Sequence, residues 1–214
     1  MRILHPTYGP FQELHLLEVV DSTNDYLKQY VEQGQPRIAQ AREQTAGRGR
    51  QDRQWLSSRD QGIYLSFLFY PKWSSRLALI LNAVGVLAVL ESLREVVPPD
   101  MPVYPKLPND VLFNGKKVAG ILVELSTLGS EIKWAIVGIG INVFQTEFPG
   151  LHGLEIPPTS LRLEGVVPKS LDQVSQPLIR WFTHYLEGAQ EGKQSELERR
   201  FTKELKTLRQ WPVP

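Results

Sequence analysis

The sequence predicts an α+β fold, a mixed β-sheet with helices, in a single domain spanning residues 1–214. Runs rich in β-branched and aromatic residues alternate along the chain with segments of helical spacing, and from about residue 170 the pattern is helical only. With 214 residues, of which 42% are hydrophobic, the chain is large enough to bury one substantial core.

The first half of the chain is predicted to contain three strands and two helices. The segment LHLLEVVDSTNDYLKQYVEQG favours a strand that runs into a helix, which Ser22 or Thr23 caps and Gly34 ends. Between the second and third strands, the polar stretch EQTAGRGRQDRQW predicts a loop. The other two strands are predicted at residues 38–43 and 62–70. The second helix is predicted at residues 77–97, where a pair of prolines ends it.

A tight hairpin is predicted at Asn114-Gly115, within DVLFNGKKVAGILVEL. This pair favours a type I′ turn, in which both central residues need a positive φ. The turn sets the facing pairs Phe113 with Lys116, Leu112 with Lys117, Val111 with Val118, and Asp110 with Ala119. One side of the sheet then carries Lys117, Leu112, Asp110 and Ala119. The carboxylate of Asp110 and the ammonium of Lys117 are therefore expected to be close diagonal neighbours.

The second half predicts one more strand and then helices. Residues 132–143, IKWAIVGIGINV, are almost continuously apolar, so both faces of this strand should be covered. Residues 170–214 predict a helical C-terminal part with two packing stripes. Those stripes are Leu178, Trp181, Phe182 and Tyr185, followed by Leu197, Phe201, Leu205 and Leu208.

Composition excludes several functional classes. A formal net charge of +1 provides no overall field for binding DNA or an anionic membrane. The absence of cysteine excludes disulfides, a thiolate nucleophile and cysteine zinc sites. The N-terminus lacks a signal-peptide pattern, and the apolar stretch at 77–90 is shorter than the roughly 20 residues of a membrane span. We therefore expect a cytoplasmic protein that binds neither DNA nor membranes.

Two segments carry candidate chemistry. In EQTAGRGRQDRQW, glycines allow a ligand to approach the backbone closely, and Arg48, Arg50 and Arg53 can converge on an anion. The alternatives are a solvated basic loop or a weak nucleic-acid patch. In PKLPND, Asn109 and Asp110 offer oxygen ligands that suit Mg²⁺ together with nucleotide phosphates. An ordinary hairpin with a surface lysine is the alternative there.

Other matches are weaker. The sequence GIGIN at 138–142 lacks the third glycine of a dinucleotide fingerprint, and NGKK lacks the remainder of a Walker A loop. The histidines have no metal-ligand spacing, so a zinc site is not expected.

The order of these segments is more specific than any one of them. Five segments follow one another between residues 21 and 161: DSTN, EQTAGRGR with a downstream Trp, KxPND with KKVAGIL, GIGIN, and TSL at 159–161. This series resembles the catalytic domain of biotin protein ligases. The resemblance implies the mixed-sheet fold that these enzymes share with class II aminoacyl-tRNA synthetases.

The resemblance also implies roles for individual residues. Biotin-binding residues would be Ser22, Thr23, Asn24, Gln44, Arg48, Gly49, Arg50, Lys117 and Gly120. ATP-binding residues would be Arg50, Arg53, Trp55, Asn109, Asp110, Lys117 and Asn142. Lys117, Arg50 and Asp110 would be catalytic, and Asp110 would be a ligand of Mg²⁺.

The implied activity is formation of biotinyl-5′-AMP from biotin and ATP with Mg²⁺, followed by transfer to a lysine. The partner would be the biotin carboxyl carrier protein of acetyl-CoA carboxylase. A homodimer is expected, since the family includes dimers that pair their sheets edge to edge. Two alternatives remain: a lipoate or octanoate ligase of related fold, and a non-catalytic biotin-binding regulatory module.

The sequence departs from the family pattern at four places. Leu107 stands where the family usually has Trp, and Asp52 replaces a glycine in the arginine-rich loop. Since about twenty residues precede DSTN, we expect no N-terminal helix-turn-helix domain. We also expect no C-terminal SH3-like domain, because the chain ends where the family usually continues into one.

Overall fold

A computed structural model describes residues 1–5, 7–51, 53–71, 73–151 and 153–207. The strands are Arg2–Leu4 (β1), Glu13–Leu17 (β2), Arg37–Ala41 (β3), Gly62–Phe69 (β4), Val103–Lys106 (β5), Asp110–Phe113 (β6), Lys116–Leu128 (β7) and Glu131–Asn142 (β8). They form one sheet in the order β1-β2-β3-β4-β8-β7-β6-β5. Strands β2 and β3 pair in parallel, whereas the other described neighbours are antiparallel. The predicted mixed sheet is confirmed.

Four α-helices accompany the sheet in the described ranges: Thr23–Lys28 (α1), Ala78–Arg94 (α2), Asp172–Gln190 (α3) and Gln194–Thr207 (α4). Ser22 occupies the N-cap position of α1, but the predicted capping bond is wrong, because the Ser22 side chain makes none. Gly34 closes the following 3-10 turn at φ 68°. None of the described helices is long and apolar enough to cross a bilayer.

The two edge strands, β1 and β5, were not predicted from the sequence. Strand β5 contains Pro105, which lacks the N–H that a central strand would need, and such a proline is tolerated at the edge of a sheet. Strand β1 is short and its residues are exposed, so it has no alternation of apolar and polar positions.

One face of the sheet packs on α2 and α3. The inward residues of β4, which include Leu65 and Phe67, join a large core with both helices. Phe67 stacks on Phe182 of α3 with ring centroids 3.7 Å apart. The predicted stripe of α3 is buried except for the partly buried Trp181. In α4, Leu197 is buried and Phe201 partly buried, whereas Leu208 lies outside the described residues.

The opposite face packs on Leu27 of α1 through a second apolar cluster that includes Leu68 and Ile136. The rest of this face, called here the polar face, carries Ser66 of β4, Gly120 and Glu124 of β7, and Gly138 and Gly140 of β8. In the pairing register Gly138 lies beside Ser66, and Gly140 lies beside Gly120. Helix α1 and the loop after β3 cover this face. The prediction that both faces of β8 are covered is therefore confirmed.

The predicted hairpin is present, but part of its register is wrong. Asn114 and Gly115 have φ of 50° and 79°, and Leu112 faces Lys117 as expected. Beyond this pair a bulge shifts the register, so that Val111 faces Ala119 and Asp110 faces Gly120.

The backbone of Lys117 explains the bulge. Its N–H donates to Pro157 O, and its C=O accepts from Thr159 N, so this residue is bonded to a neighbouring segment. The bulge turns Ala119 into the core and places Gly120 on the polar face, so the prediction that Ala119 shares the side of Lys117 and Asp110 is wrong.

Candidate functional site

A chain of hydrogen bonds begins at the N-terminus of α1, where the DSTN motif lies. Ser22, Thr23 and Asn24 are all buried. Thr23 Oγ1 lies 2.7 Å from Ser66 Oγ, and Ser66 Oγ donates to Asn24 Oδ1 at 2.6 Å. Asn24 Nδ2 in turn donates to Glu124 Oε2 at 2.7 Å. The short helix is thereby tied to β4 and β7 across the polar face.

Gln44 links the same motif to the arginine-rich loop. Its Oε1 accepts from the Thr23 backbone N–H at 2.8 Å, and its Nε2 donates to Ser57 Oγ at 2.8 Å. Ser57 Oγ donates to the Trp55 carbonyl at 3.1 Å. The two ends of the loop therefore share one network with α1.

The loop folds back on itself as a small hairpin. Gly49 N donates to Arg53 O at 2.6 Å, and Trp55 N donates to Gly47 O at 2.9 Å. A Cβ on Gly47 would lie 2.5 Å from Trp55 O, so this glycine permits the close return of the chain. Arg50 and Arg53 remain exposed.

Arg48 points away from Arg50, towards α1 and β7. Its guanidinium lies 2.6 Å from Asp25 Oδ1 and 3.1 Å from Glu124 Oε2. Lys28 contacts the same two carboxylates. Burial alone would lower the pKa of Lys28, but hydrogen bonds to Glu124 and Asp25 outweigh it and raise the pKa.

Trp55 lies over the glycines of the polar face. A Cβ on Gly120 would lie 3.0 Å from the indole ring, and a Cβ on Gly140 would overlap it. The indole Nε1 is buried and has no hydrogen-bond partner. Lys117 Nζ lies 5.4 Å from the ring centroid, within the range of a cation–π contact. Loop and hairpin therefore meet above a floor of glycines.

The ammonium of Lys117 is held close to a carboxylate. Its Nζ lies 2.7 Å from Asp110 Oδ1, which confirms that the two side chains share one side of the sheet. The Asp110 side chain is 17% exposed and that of Lys117 is 29% exposed, so both are partly accessible to a ligand.

A buried carboxylate fixes the turn beside Lys117. Glu164 accepts hydrogen bonds from Thr159 Oγ1, Asn114 Nδ2 and Lys116 Nζ. Burial alone would raise the pKa of Glu164, but these three donors outweigh it and lower the pKa. The hairpin that presents Lys117 is thus clamped on its outer side.

Asn109 also joins the loop to the hairpin. Its Nδ2 donates to Ile121 O at 2.6 Å, and its Oδ1 accepts from Arg50 at 3.4 Å. Asn142, in contrast, is buried with its side chain bonded to Thr159 O and Gln145. Among the described residues, direct side-chain contacts join the predicted site residues Thr23 with Gln44, Arg50 with Asn109, and Lys117 with Asp110 and Trp55. In the described part of the chain, five predicted side chains show no hydrogen bond, ion pair or ring contact with another predicted site residue: Ser22, Asn24, Arg48, Arg53 and Asn142.

Several residues of the site were not predicted from the sequence. They are Ser57, Ser66, Glu124, Gly138 and Gly140. A signal existed for some of them: Ser66 interrupts an apolar strand, and Glu124 does the same in ILVEL. Without the spatial arrangement, neither residue could be connected to Asn24.

Metal ligands are sparse in the described part of the chain. No group of three or more His, Cys, Asp or Glu side chains there is arranged to hold a metal ion. Asp110 offers one carboxylate, which fits Mg²⁺ that is held mainly by nucleotide phosphates and water.

The sequence matches the model of the biotin/lipoate A/B protein ligase family over residues 16–142, which is more than half of the chain. The protein therefore belongs to this family.

Within the family, this chain is similar in sequence and structure to biotin protein ligases. A structure of the Aquifex aeolicus biotin protein ligase in complex with biotin and ATP is 34% identical, with a TM-score of 0.69. The match covers 88% of this chain and 76% of that one. A Leishmania major biotin protein ligase, 21% identical with a TM-score of 0.68, supports the fold alone. The fold is the class II aminoacyl-tRNA synthetase-like catalytic fold of biotin protein ligases.

Two curated relatives match a similar region. A biotin–[acetyl-CoA-carboxylase] ligase from Paracoccus denitrificans is 37% identical over 147 residues, which are 66% of this chain and 60% of the relative. The bifunctional ligase/repressor BirA from Bacillus subtilis is 33% identical over 142 residues, 64% of this chain and 43% of that protein. The match thus spans about half the length of these relatives.

Proposed function

We propose that the protein activates biotin with ATP to biotinyl-5′-AMP and transfers biotin to a lysine of a biotin carboxyl carrier protein. One observation carries the proposal: the arginine-rich loop and the hairpin lysine meet above the glycine floor of the polar face. Family membership supports it, as does the similarity to a ligase whose structure contains biotin and ATP.

Biotin is proposed to lie between α1 and Trp55. Ser22, Thr23, Asn24 and Gln44 offer hydroxyl and amide groups for the polar ureido ring. Gly49 permits the close approach of Arg53, Gly120 permits that of Trp55 and Lys117, and the indole provides an apolar wall. The biotin carboxylate would point towards Lys117 and Arg50.

ATP is proposed to lie on the far side of Lys117, next to the approach to β6. Arg50, Asn109 and Lys117 would bind its phosphates, with Arg53 closing from the exposed loop. We place the adenine near Trp55 and Asn142. Mg²⁺, held by Asp110 and the phosphates, would supply additional positive charge.

The first step joins two anions, so charge compensation dominates its chemistry. A biotin carboxylate oxygen forms a bond to the α-phosphorus, and the bond from that phosphorus to the bridging oxygen breaks, releasing pyrophosphate. Lys117 would leave Asp110 and move to the developing negative charge, which needs little rearrangement because both side chains are partly exposed. Arg50 would stabilise the same charge from the loop side.

In the second step, the neutral lysine amine of the carrier attacks the biotin carbonyl, and AMP leaves. Asp110 is the candidate base for the proton lost by the amine, since it would be free once Lys117 has moved and Mg²⁺ has left with the pyrophosphate. Positioning of the amine by the enclosed site would provide much of the acceleration.

The direct test is incubation of the protein with biotin, ATP, Mg²⁺ and an isolated biotin carboxyl carrier domain. We expect a mass increase on the carrier equal to one biotinyl group, together with pyrophosphate release. If neither appears at high protein concentration, the proposed activity is wrong. Biotin binding without pyrophosphate release would instead indicate the non-catalytic module.

The family model covers lipoate ligases as well, so the acid must be tested separately. We expect biotin, and not lipoate or octanoate, to raise the melting temperature. A shift with lipoate alone would favour the alternative ligase. We further propose that the protein is cytoplasmic, forms a homodimer and does not bind DNA. Light scattering would test the homodimer by measuring the mass of the protein in solution.

A further inference from the structure

Glu124 is the point where three parts of the candidate site meet. It extends from β7 and contacts Asn24 and Lys28 of α1 together with Arg48 of the loop. Its side chain is 22% exposed, less than the side chains of its partners Lys28 and Arg48. A carboxylate in this position interacts with both the ligand-facing helix and the loop that closes over it.

The carboxylate also sets the direction of the hydrogen-bond chain. Because Glu124 only accepts, Asn24 must donate through Nδ2, which leaves Asn24 Oδ1 to accept from Ser66. The Ser66 hydroxyl proton is then used, so Ser66 can only accept from Thr23 Oγ1, whose single proton is shared between Ser66 Oγ at 2.7 Å and Gln44 Oε1 at 3.1 Å. One charged group therefore determines which donors and acceptors the DSTN motif presents to a ligand.

Arg48 is paired with two carboxylates without any ligand. Its guanidinium lies 2.6 Å from Asp25 Oδ1 and 3.1 Å from Glu124 Oε2, on the side of the loop opposite Arg50. A cation paired with two carboxylates is poorly suited to attract a third anion. The interactions of Arg48 are those of an anchor, although it shares a short motif with Arg50.

We propose that Glu124 is a positioning residue that orients Asn24 and, through Arg48, holds the loop against α1. Arg48 then contributes to biotin binding by fixing the loop and not by contacting the anionic centre. This inference builds on the proposed function, because the loop is taken to cover biotin.

The test is a double-mutant cycle with Glu124→Gln and Arg48→Gln. Tryptic cleavage after Arg50, measured on the ligand-free protein, should be about fivefold faster in each single variant, as expected for loss of a partly exposed ion pair. The acceleration in the double variant should be smaller than the product of the two single accelerations, because both changes break the Arg48–Glu124 pair, while Arg48 also contacts Asp25 and Glu124 also contacts Lys28. Glu18→Gln is the matched control, since Glu18 likewise pairs with two arginines, Arg42 and Arg59, outside the loop.

The activity measurement separates positioning from catalysis. In both single variants the KM for biotin should rise about fivefold while kcat for adenylate formation changes little, because a ground-state binding contribution is lost. Circular dichroism and melting temperatures should match the Glu18→Gln control.

Cleavage rates equal to the control, or effects that add in the double variant, would overturn the proposal. A wild-type protein that forms no adenylate would contradict the proposed function, while the ligand-free cleavage rates would still decide the role of Glu124.

Discussion

The two faces of the sheet are made by the same strands but filled in opposite ways. On the core face, Phe67 and Ile139 lie among interlocking side chains from α2 and α3. On the polar face, the neighbouring positions are Ser66, Gly138 and Gly140, and backbone or single polar atoms face α1 and Trp55. Strand alternation alone assigns adjacent residues to packing or to the site.

This difference indicates what each face can tolerate. The core face gains stability from buried apolar volume, so loss of volume should be costly there. The polar face gains a binding surface from the absence of side chains, so added volume should harm it more.

Removal of a core ring should have the largest effect. Phe182→Ala deletes the ring that stacks on Phe67 and should lower the free energy of unfolding by about 3–5 kcal/mol. Urea denaturation measures this change. Leu79→Ala, at a position that is 79% exposed on α2, is the control and should cost less than about 0.5 kcal/mol. A comparable loss in both variants would contradict the assignment of the core.

Addition of one methyl group on the polar face should have the next largest effect. In Gly138→Ala the new Cβ would overlap Asn24 Oδ1, so α1 must shift, at a cost of about 1–3 kcal/mol. Calorimetric titration should also show weaker biotin binding. Gly188→Ala in α3 is the control, because nothing lies within 4 Å of the added atom. Unchanged biotin affinity in Gly138→Ala would separate this glycine from the site.

The clamp on the hairpin should depend on pH. Glu164→Gln should cost about 1–2 kcal/mol at neutral pH, because a carboxylate with three donors is replaced by an amide. Since the pKa of Glu164 is lowered in the folded state, its contribution is present above the ordinary value of 4.5 and is lost as the pH falls below it. Unfolding curves of wild type and variant should therefore converge in acid. A constant difference down to acid pH would rule out the charged clamp.

The smallest effect on stability should accompany the largest effect on activity. Lys117→Ala removes a partly exposed ion pair with Asp110 and should change the free energy of unfolding by less than about 1 kcal/mol. Adenylate formation should fall by about two orders of magnitude or more, since a charge near the reacting centre is lost. Lys116→Ala, the neighbouring lysine on the outer side, is the control and should keep its activity. Equal activity losses in the two variants would show that Lys117 has no special role.

Local patterns predicted most of the fold. Asn114-Gly115 defined its turn because a positive φ at two successive residues suits few other pairs. The edge strand with Pro105 was missed because its pairing depends on β6, which no local pattern reports. The bulge after Lys117 was missed for the same reason, since the competing hydrogen bonds come from residues 157–159.

The site was predictable where residues are grouped along the chain and unpredictable where they are not. DSTN and the arginine-rich loop were identified as motifs, but the motif alone could not show that Arg48 and Arg50 point to different sides. Glu124 was absent from the prediction because its partner Asn24 is 100 residues away in sequence. Roles that depend on long-range pairing need the fold.

The most direct test of the central claim is a crystal structure of the protein with biotin bound. The account predicts that biotin lies on the polar face, with its ureido ring near Asn24 and Gln44 and its carboxylate within reach of Lys117. Biotin bound away from the polar face, or bound with its carboxylate out of reach of Lys117, would contradict it.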